Sequence, residues 1–317
     1  MQSPDKKPLP VIFLMGPTAS GKTELAMELH QKLNCELISV DSALVYKGLD
    51  IGTAKPTAKE LAKAPHHLID ICEPDQPYSA SRFVIDARKI IDSTLKQGRI
   101  PVLVGGTMLY FMALRDGLAD LPKADPDIRN QLAQEGEEKG LASLHNRLAK
   151  IDPESAARIK PGDPQRIKRA LEVFLISGKT LSQFFKEQQV QPLPFPLLSI
   201  AIAPTDRQLL RERIKQRFEL MLEQGFLAEV ELLYRQRSLS ADLPAMRSVG
   251  YRQAYQYFSG EFDLQTMSEK AITATRRLAK RQMTWLRKWP ELHWLETADP
   301  QNFIKTKQLI ADFSSSD

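Results

Sequence analysis

The sequence has only two cysteines, Cys35 and Cys72, which cannot form a disulfide framework or a four-cysteine zinc site. They read as two reduced thiols. No apolar run approaches the roughly 20 residues needed to span a bilayer. The first one, Val11 to Met15, is too short for the core of a signal peptide and runs into a glycine-bearing turn. The expectation is therefore a cytoplasmic protein with no membrane partner. Glycine (15) and proline (21) are too sparse in 317 residues for a low-complexity or collagen-like chain. The hydrophobic fraction of 42% and charged fraction of 26% exclude intrinsic disorder and leave an ordinary globular composition. One local absence stands out. From Lys270 to Lys288 there are seven basic residues (Lys270, Arg276, Arg277, Lys280, Arg281, Arg287 and Lys288) and no acidic one, although the whole chain carries only a formal +5. A polyanion partner would favour such a segment.

The chain is long enough for about two domains. Its first hundred residues alternate strand-like and helix-like signals. Strands are expected at Val11–Met15, Glu36–Val40, His67–Ile71 and Ile100–Val104, and helices at Lys22–Leu33 and Ser79–Gln97. Continuous apolar strands alternating with amphipathic helices specify an α/β fold with a parallel sheet. From Arg115 to Gln191 the strand signals stop, and charged helical stretches are separated by Leu121-Pro122, Asp152-Pro153, Gly162-Asp163-Pro164 and Gly178. Leu197–Ala203 then returns as a strand, and the remainder reads as mostly helical. The expected division is an α/β core of residues 1–115 and 197–317 with an all-helical insertion at 116–196.

Gly16-Pro-Thr-Ala-Ser-Gly-Lys-Thr23 fits G-x-x-x-x-G-K-[ST] between a strand and a helix, the context that this motif requires. Its amides and the helix N-terminus suit phosphate oxygens, Lys22 adds a point charge and the Thr23 hydroxyl suits Mg²⁺. The candidate diphosphate-binding residues are Gly16, Thr18, Ala19, Ser20, Gly21, Lys22 and Thr23, with Thr23 the metal ligand. A P-loop ATPase usually also places an acid at the end of a central strand. Here Ile100–Val104 ends in Gly105-Gly106-Thr107, and the strand-terminal acid is Asp41.

Around Asp41 the blocks converge. Asp41-Ser-Ala-Leu-Val-Tyr46, Asp50-Ile-Gly-Thr-Ala-Lys-Pro56, His66-His-Leu-Ile-Asp70 and Gly105-Gly-Thr-Met-Leu-Tyr110 follow the phosphate loop. Asp163-Pro-Gln-Arg-Ile-Lys-Arg169, Met246-Arg-Ser-Val-Gly-Tyr-Arg252 and Lys280-Arg-Gln-Met-Thr-Trp-Leu-Arg287 come later. With these eight blocks in order, the sequence resembles the tRNA dimethylallyltransferases nearly end to end. The resemblance implies a nucleotide-kinase-like P-loop core with a helical insertion. It also implies transfer of a dimethylallyl group from its diphosphate to the exocyclic amine of an adenosine beside the tRNA anticodon. The phosphate loop would then hold a prenyl donor and not an energy-supplying nucleotide. The expected partners are tRNA and dimethylallyl diphosphate, with Mg²⁺ as cofactor and the chain as a monomer.

By the same resemblance the catalytic residues are Asp41, Thr107 and Arg217. Asp41 accepts the amine proton, while Arg217 joins Lys22 and the loop amides on the leaving diphosphate. The implied tRNA contacts are Asp41, Ser42, Ala43, Leu44, Thr107, Arg129, Gln165, Arg166, Ile167, Lys168, Arg169, Arg247, Arg252, Lys280, Arg281 and Arg287. On the residues alone, Arg217 and Arg129 are ordinary helix arginines and Thr107 a helix cap. One position departs from the family: Leu44 stands where many members have glutamine.

On a helical wheel starting from Arg276, the basic residues of Thr275–Lys288 fall between roughly 0° and 140°. Ile272, Leu278, Met283, Trp285 and Leu286 fall between roughly 180° and 340°, so one face should pack and the other should meet phosphate. His66 and His67 lack a third ligand at metal spacing and read as packing residues. The rival readings are an adenylate isopentenyltransferase acting on free nucleotide, a nucleotide kinase, and a non-catalytic RNA-binding P-loop protein.

Overall fold

The computed structural model describes residues 9–188, 193–236 and 239–315. They divide into two compact units, one of residues 9–115, 193–236 and 239–315 and the other of 116–188. The first unit resumes at Leu193, four residues before the Leu197 expected from sequence, and Phe195 is already buried in its core.

The first unit is built on a sheet of six parallel strands: β1 (Val11–Met15), β2 (Cys35–Val40), β3 (His66–His67), β4 (Ile100–Gly105), β5 (Leu197–Ala203) and β6 (Leu292–Glu296). Their order across the sheet is β3-β2-β4-β1-β5-β6. Side chains of β1 alternate between two cores, as the period-2 pleat dictates. Val11, Phe13 and Met15 enter one, and Ile12 and Leu14 the other. Burial on both faces explains why the central strands lack polar alternation.

In this unit α1 (Lys22–Lys32), α2 (Ala58–Lys63), α3 (Ala80–Lys96) and α4 (Met108–Asp116, whose last residue lies in the second unit) accompany the first four strands. The expected helix at 79–97 is α3, with Ser79 as its cap, accepting the Arg82 N–H. The third strand is shorter than expected. Leu68 and Asp70 take left-handed φ angles of 65° and 55°, which end strand pairing after His67.

The second unit holds α5 (Pro126–Lys139), α6 (Leu141–Ile151), α7 (Pro153–Arg158), α8 (Pro164–Ser177) and α9 (Leu181–Glu187), with no strand among its described residues. Its Asp-Pro pairs are helix starts. Asp125, Asp152 and Asp163 cap α5, α7 and α8, each followed by proline at the first helical position. Leu132, Leu144, Leu148, Ile167 and Leu171 fill a core of its own.

After β5, the first unit continues with α10 (Arg207–Glu223), α11 (Phe226–Tyr234), α12 (Tyr251–Phe258) and α13 (Leu264–Leu286), then β6 and α14 (Asn302–Ser315). The region is mostly helical, as expected, but also holds the strand β6, which was not expected. It is a short edge strand with a mostly exposed pattern, so it carries neither a buried run nor clean alternation. Among the described residues no helix is long and apolar enough to cross a membrane.

Candidate active site

The candidate site lies at the carboxyl ends of β1, β2 and β4, where open parallel sheets place ligands. The phosphate loop leaves β1 and enters α1 at Lys22. Side chains from distant parts of the sequence fix its backbone. Arg213 Nε donates to Ala19 O at 2.9 Å, and Thr297 Oγ1 donates to Ser20 O at 3.0 Å. Thr18 N–H donates to Gln282 Oε1 at 3.0 Å, and Lys22 Nζ donates to Pro17 O at 3.2 Å. These bonds hold Ala19 at φ 64°, a left-handed conformation uncommon outside glycine. The loop's shape is thus tied to contacts with α10, α13 and the segment after β6.

Beside it, the end of β2 presents Asp41. Its Oδ1 accepts the N–H groups of Ala43 at 2.8 Å and Leu44 at 3.3 Å, an Asx turn that leaves Oδ2 for other work. Thr107 follows β4, and its Oγ1 accepts the Ser42 N–H at 3.0 Å. Its hydroxyl therefore orients the Asp41 loop. The two preceding glycines are needed because neighbours come close. A Cβ on Gly105 would sit 2.1 Å from Val40 O, and one on Gly106 would sit 2.3 Å from Gln282 Nε2.

Arg213 and Arg217 lie one helical turn apart on α10 and so share a face. Arg217 Nη2 donates to Thr53 O at 3.2 Å. The Thr53 loop is held by Glu229, whose carboxylate accepts the N–H groups of Asp50, Ile51 and Gly52 and the Tyr251 hydroxyl. Burial lowers the Lys22 pKa to about 8, and the nearby Arg217 charge pushes the same way against Asp41. Burial also pushes Arg217 below its ordinary value, as does Arg213, while Asp41 opposes both. Crowded cations facing a single carboxylate make an anion site.

The structure therefore brings together the phosphate loop, Asp41, Thr107 and Arg217. Ser42 is exposed, and Ala43 and Leu44 are half-buried. Thr23 opens onto solvent in the first turn of α1. Among the other residues implied to touch tRNA, Arg247, Arg252, Lys280, Arg281 and Arg287 are exposed on the first unit. On the second unit Gln165 and Arg166 are exposed and Lys168 is half-buried. Ile167 requires a correction: its side chain is fully buried in the helical core and cannot meet RNA. Arg129 and Arg169 have an internal duty. Their guanidinium groups bond the two oxygens of the buried Glu172 at 2.8 and 2.7 Å.

The sequence reading missed Arg213, Glu229 and Gln282. The clearest available signal was Gln282, which falls at about 240° on the wheel above, inside the arc assigned to the core. The observed buried stripe of α13 is Met267, Ala271, Ala279, Gln282 and Leu286. Trp285 lies outside it and is 41% exposed, whereas Trp289 is core, with its Nε1 on Ser199 Oγ and its ring near Phe13 and Phe111. His66 bonds Ala64 O and His67 approaches Glu36. Among the described residues no three acidic, imidazole or thiol groups could jointly hold a metal.

A phosphate-loop motif and a lone carboxylate at the ends of parallel strands, faced by two arginines of α10, define an α/β protein with a cationic site suited to a phosphorylated ligand. The comparisons place it more narrowly. The pattern of the family described as IPP transferase matches residues 44–289, and that described as isopentenyl transferase matches residues 9–72. The chain belongs to the IPP transferase family.

Similar solved structures include the full-length tRNA isopentenylpyrophosphate transferase of Bacillus halodurans, at 35% identity and TM-score 0.71 over 96% of this chain and 97% of that one. The tRNA delta(2)-isopentenylpyrophosphate transferase of Staphylococcus epidermidis is also 35% identical, with TM-score 0.68 over 97% of this chain and 100% of that one. A eukaryotic dimethylallyltransferase acting on tRNA reaches TM-score 0.81 at 28% identity over 97% of this chain and 80% of that one.

Proposed function

We propose that this chain transfers a dimethylallyl group from dimethylallyl diphosphate to the exocyclic amine of an adenosine beside the anticodon of tRNA, releasing diphosphate. The observation that carries the reading is the meeting of one carboxylate, Asp41, with the cationic phosphate loop in a member of this family. A bond forms between the amine nitrogen and C1 of the dimethylallyl group as the C1–O bond to diphosphate breaks, and the electron pair leaves on the diphosphate oxygen. The adenine amine is a weak nucleophile because its lone pair is delocalised into the ring. Asp41 Oδ2 takes its proton as attack proceeds. Lys22, Arg217 and the loop amides stabilise the charge that grows on the leaving group. The adenosine must leave its stack to reach Asp41.

Mg²⁺ suits the donor set. The Thr23 hydroxyl and the diphosphate's own oxygens would hold it, in keeping with its preference for few protein ligands and several waters. Its charge would help to neutralise the leaving diphosphate. Thr107 and the Asp41 loop would orient the target base, and the exposed basic residues of α13 would meet the RNA backbone.

The test offers labelled dimethylallyl diphosphate with Mg²⁺ to two acceptors, an unmodified tRNA with adenosine beside its anticodon and free AMP. Label on tRNA alone is the expected result. Label on AMP would make the protein a nucleotide prenyltransferase. No label on either, with ATP consumed, would overturn the reading.

A further inference from the structure

Gln282 sits in the middle of the buried stripe of α13, where an apolar residue would ordinarily pack, and is 8% exposed. A buried amide is costly unless both its ends are bonded. Both are. Oε1 accepts Thr18 N–H at 3.0 Å, and Nε2 donates to Gly106 O at 2.9 Å. One side chain thus clasps the phosphate loop after β1 and the diglycine turn after β4. Gly106 leaves the space that this amide fills, since a Cβ there would come 2.3 Å from Nε2. The same helix displays Arg277, Lys280 and Arg281 to solvent on its other face. The reactive parts on either side of the clasp are Thr18 and Ala19 of the loop, and Thr107, whose hydroxyl sets the Asp41 loop.

We propose that Gln282 is a positioning residue that makes the RNA-facing helix and the phosphate loop one mechanical unit, so that seating diphosphate and docking RNA on α13 are energetically linked. The inference rests on the tRNA reading above for the identity of the second ligand. A shift of α13 moves Thr18 and Gly106 together, because an amide bonded at both ends cannot follow one partner and keep the other. Linkage of this kind is reciprocal: if tRNA tightens diphosphate binding, diphosphate tightens tRNA binding by the same factor.

The test measures inorganic pyrophosphate affinity by calorimetry, with and without saturating tRNA, in the wild-type chain, Gln282→Met and Gly106→Ala. Methionine keeps the length and helix preference of glutamine but makes neither bond. Alanine at position 106 displaces the amide without changing the sequence of α13, although its Cβ would also come 3.1 Å from Gly16 O. The wild type should bind pyrophosphate at least about fivefold tighter when tRNA is bound. In both variants this ratio should fall to about one, pyrophosphate binding without tRNA should weaken at least about fivefold, and tRNA affinity without pyrophosphate should hold within about twofold. In a Gln282→Ala background Gly106→Ala should add little, since the clash with the amide is gone and only the 3.1 Å approach to Gly16 O remains. A ratio of one in the wild type, or a ratio that survives in both variants, would overturn the linkage. Pyrophosphate affinity unchanged by Gln282→Met would overturn the clasp whatever RNA does. A wild-type chain that binds pyrophosphate but no tRNA would overturn the function proposed above and with it the linkage, while weakened pyrophosphate binding in the variants would still support the clasp.

Discussion

At the residue scale, the proposed reaction asks two duties of Asp41, on separate oxygens. Oδ1 accepts two loop amides, and Oδ2 remains to accept a proton. Substitution separates them. An asparagine at this position would still offer its Oδ1 to Ala43 and Leu44 but could not take the proton. Asp41→Asn is therefore expected to lower kcat by about 10²–10⁴ with tRNA affinity nearly unchanged, and Asp41→Ala, which also loses the turn, to lower it at least as far. Single-turnover prenylation alongside filter binding checks this, and an Asp41→Asn variant with near wild-type turnover would show that Asp41 serves only the turn.

Lys22 gives a second prediction at the same scale. Burial and Arg217 bring its pKa to about 8, and only the protonated form attracts diphosphate. As pH rises through 8 the free protein loses this charge and must take up a proton to bind. Pyrophosphate affinity should then fall with a limiting slope of about tenfold per pH unit, one proton being linked. Lys22→Arg, which keeps its charge, should titrate only as pyrophosphate itself does. The phosphate loop was legible because its spacing encodes backbone geometry. Arg213 was not, and Arg217 stood out only through the family resemblance, because both have the spacing of any helix face and their meeting with Lys22 and Asp41 depends on tertiary structure.

At the element scale, the second unit depends on a charge that its sequence conceals. Glu172 is buried on α8, and burial disfavours its ionised form. Hydrogen bonds from Arg169, Arg129 and the Asp125 N–H outweigh that cost and hold its carboxyl below the ordinary value of 4.5. Glu172→Gln keeps the shape and removes the charge. It should cost about 1.5–3 kcal/mol in urea unfolding at neutral pH, the range for hydrogen bonds to charged groups. A carboxylate held low contributes stability that is fully present above its unfolded pKa and lost as pH falls through the folded value. Below that value the difference between wild type and variant should shrink. No pattern in α8 separates Glu172 from a solvent-facing glutamate until α5 brings Arg129 against it. The Asp-Pro helix starts were visible because caps are local, whereas Ile167 lay in a basic block whose composition hid one apolar residue turned inward.

At the scale of the whole molecule, a net charge of +5 is too small to define a binding surface, and its distribution matters more. The seven basic residues from Lys270 to Lys288 are all exposed, and Trp285 is exposed among them. The wheel assigned the basic arc correctly, and Trp285, at the roughly 180° edge of the apolar arc, lies on the exposed side. The actual stripe is narrower and is centred on small residues and Gln282, a displacement that residue types alone do not report. Charge and ring should act on RNA differently. An arginine that neutralises a phosphate releases counterions, so Arg281→Ala should weaken tRNA binding and reduce the slope of log K against log salt by roughly 0.7–0.9. A tryptophan stacked on an unpaired base releases none, so Trp285→Ala should weaken binding by about 1–3 kcal/mol and leave the slope unchanged. Titrations of both variants at several salt concentrations check the pair. If Trp285→Ala changes nothing, the ring is solvated surface and the helix binds RNA through charge alone. If Arg281→Ala leaves the slope intact, the basic face of α13 is not where the phosphates lie.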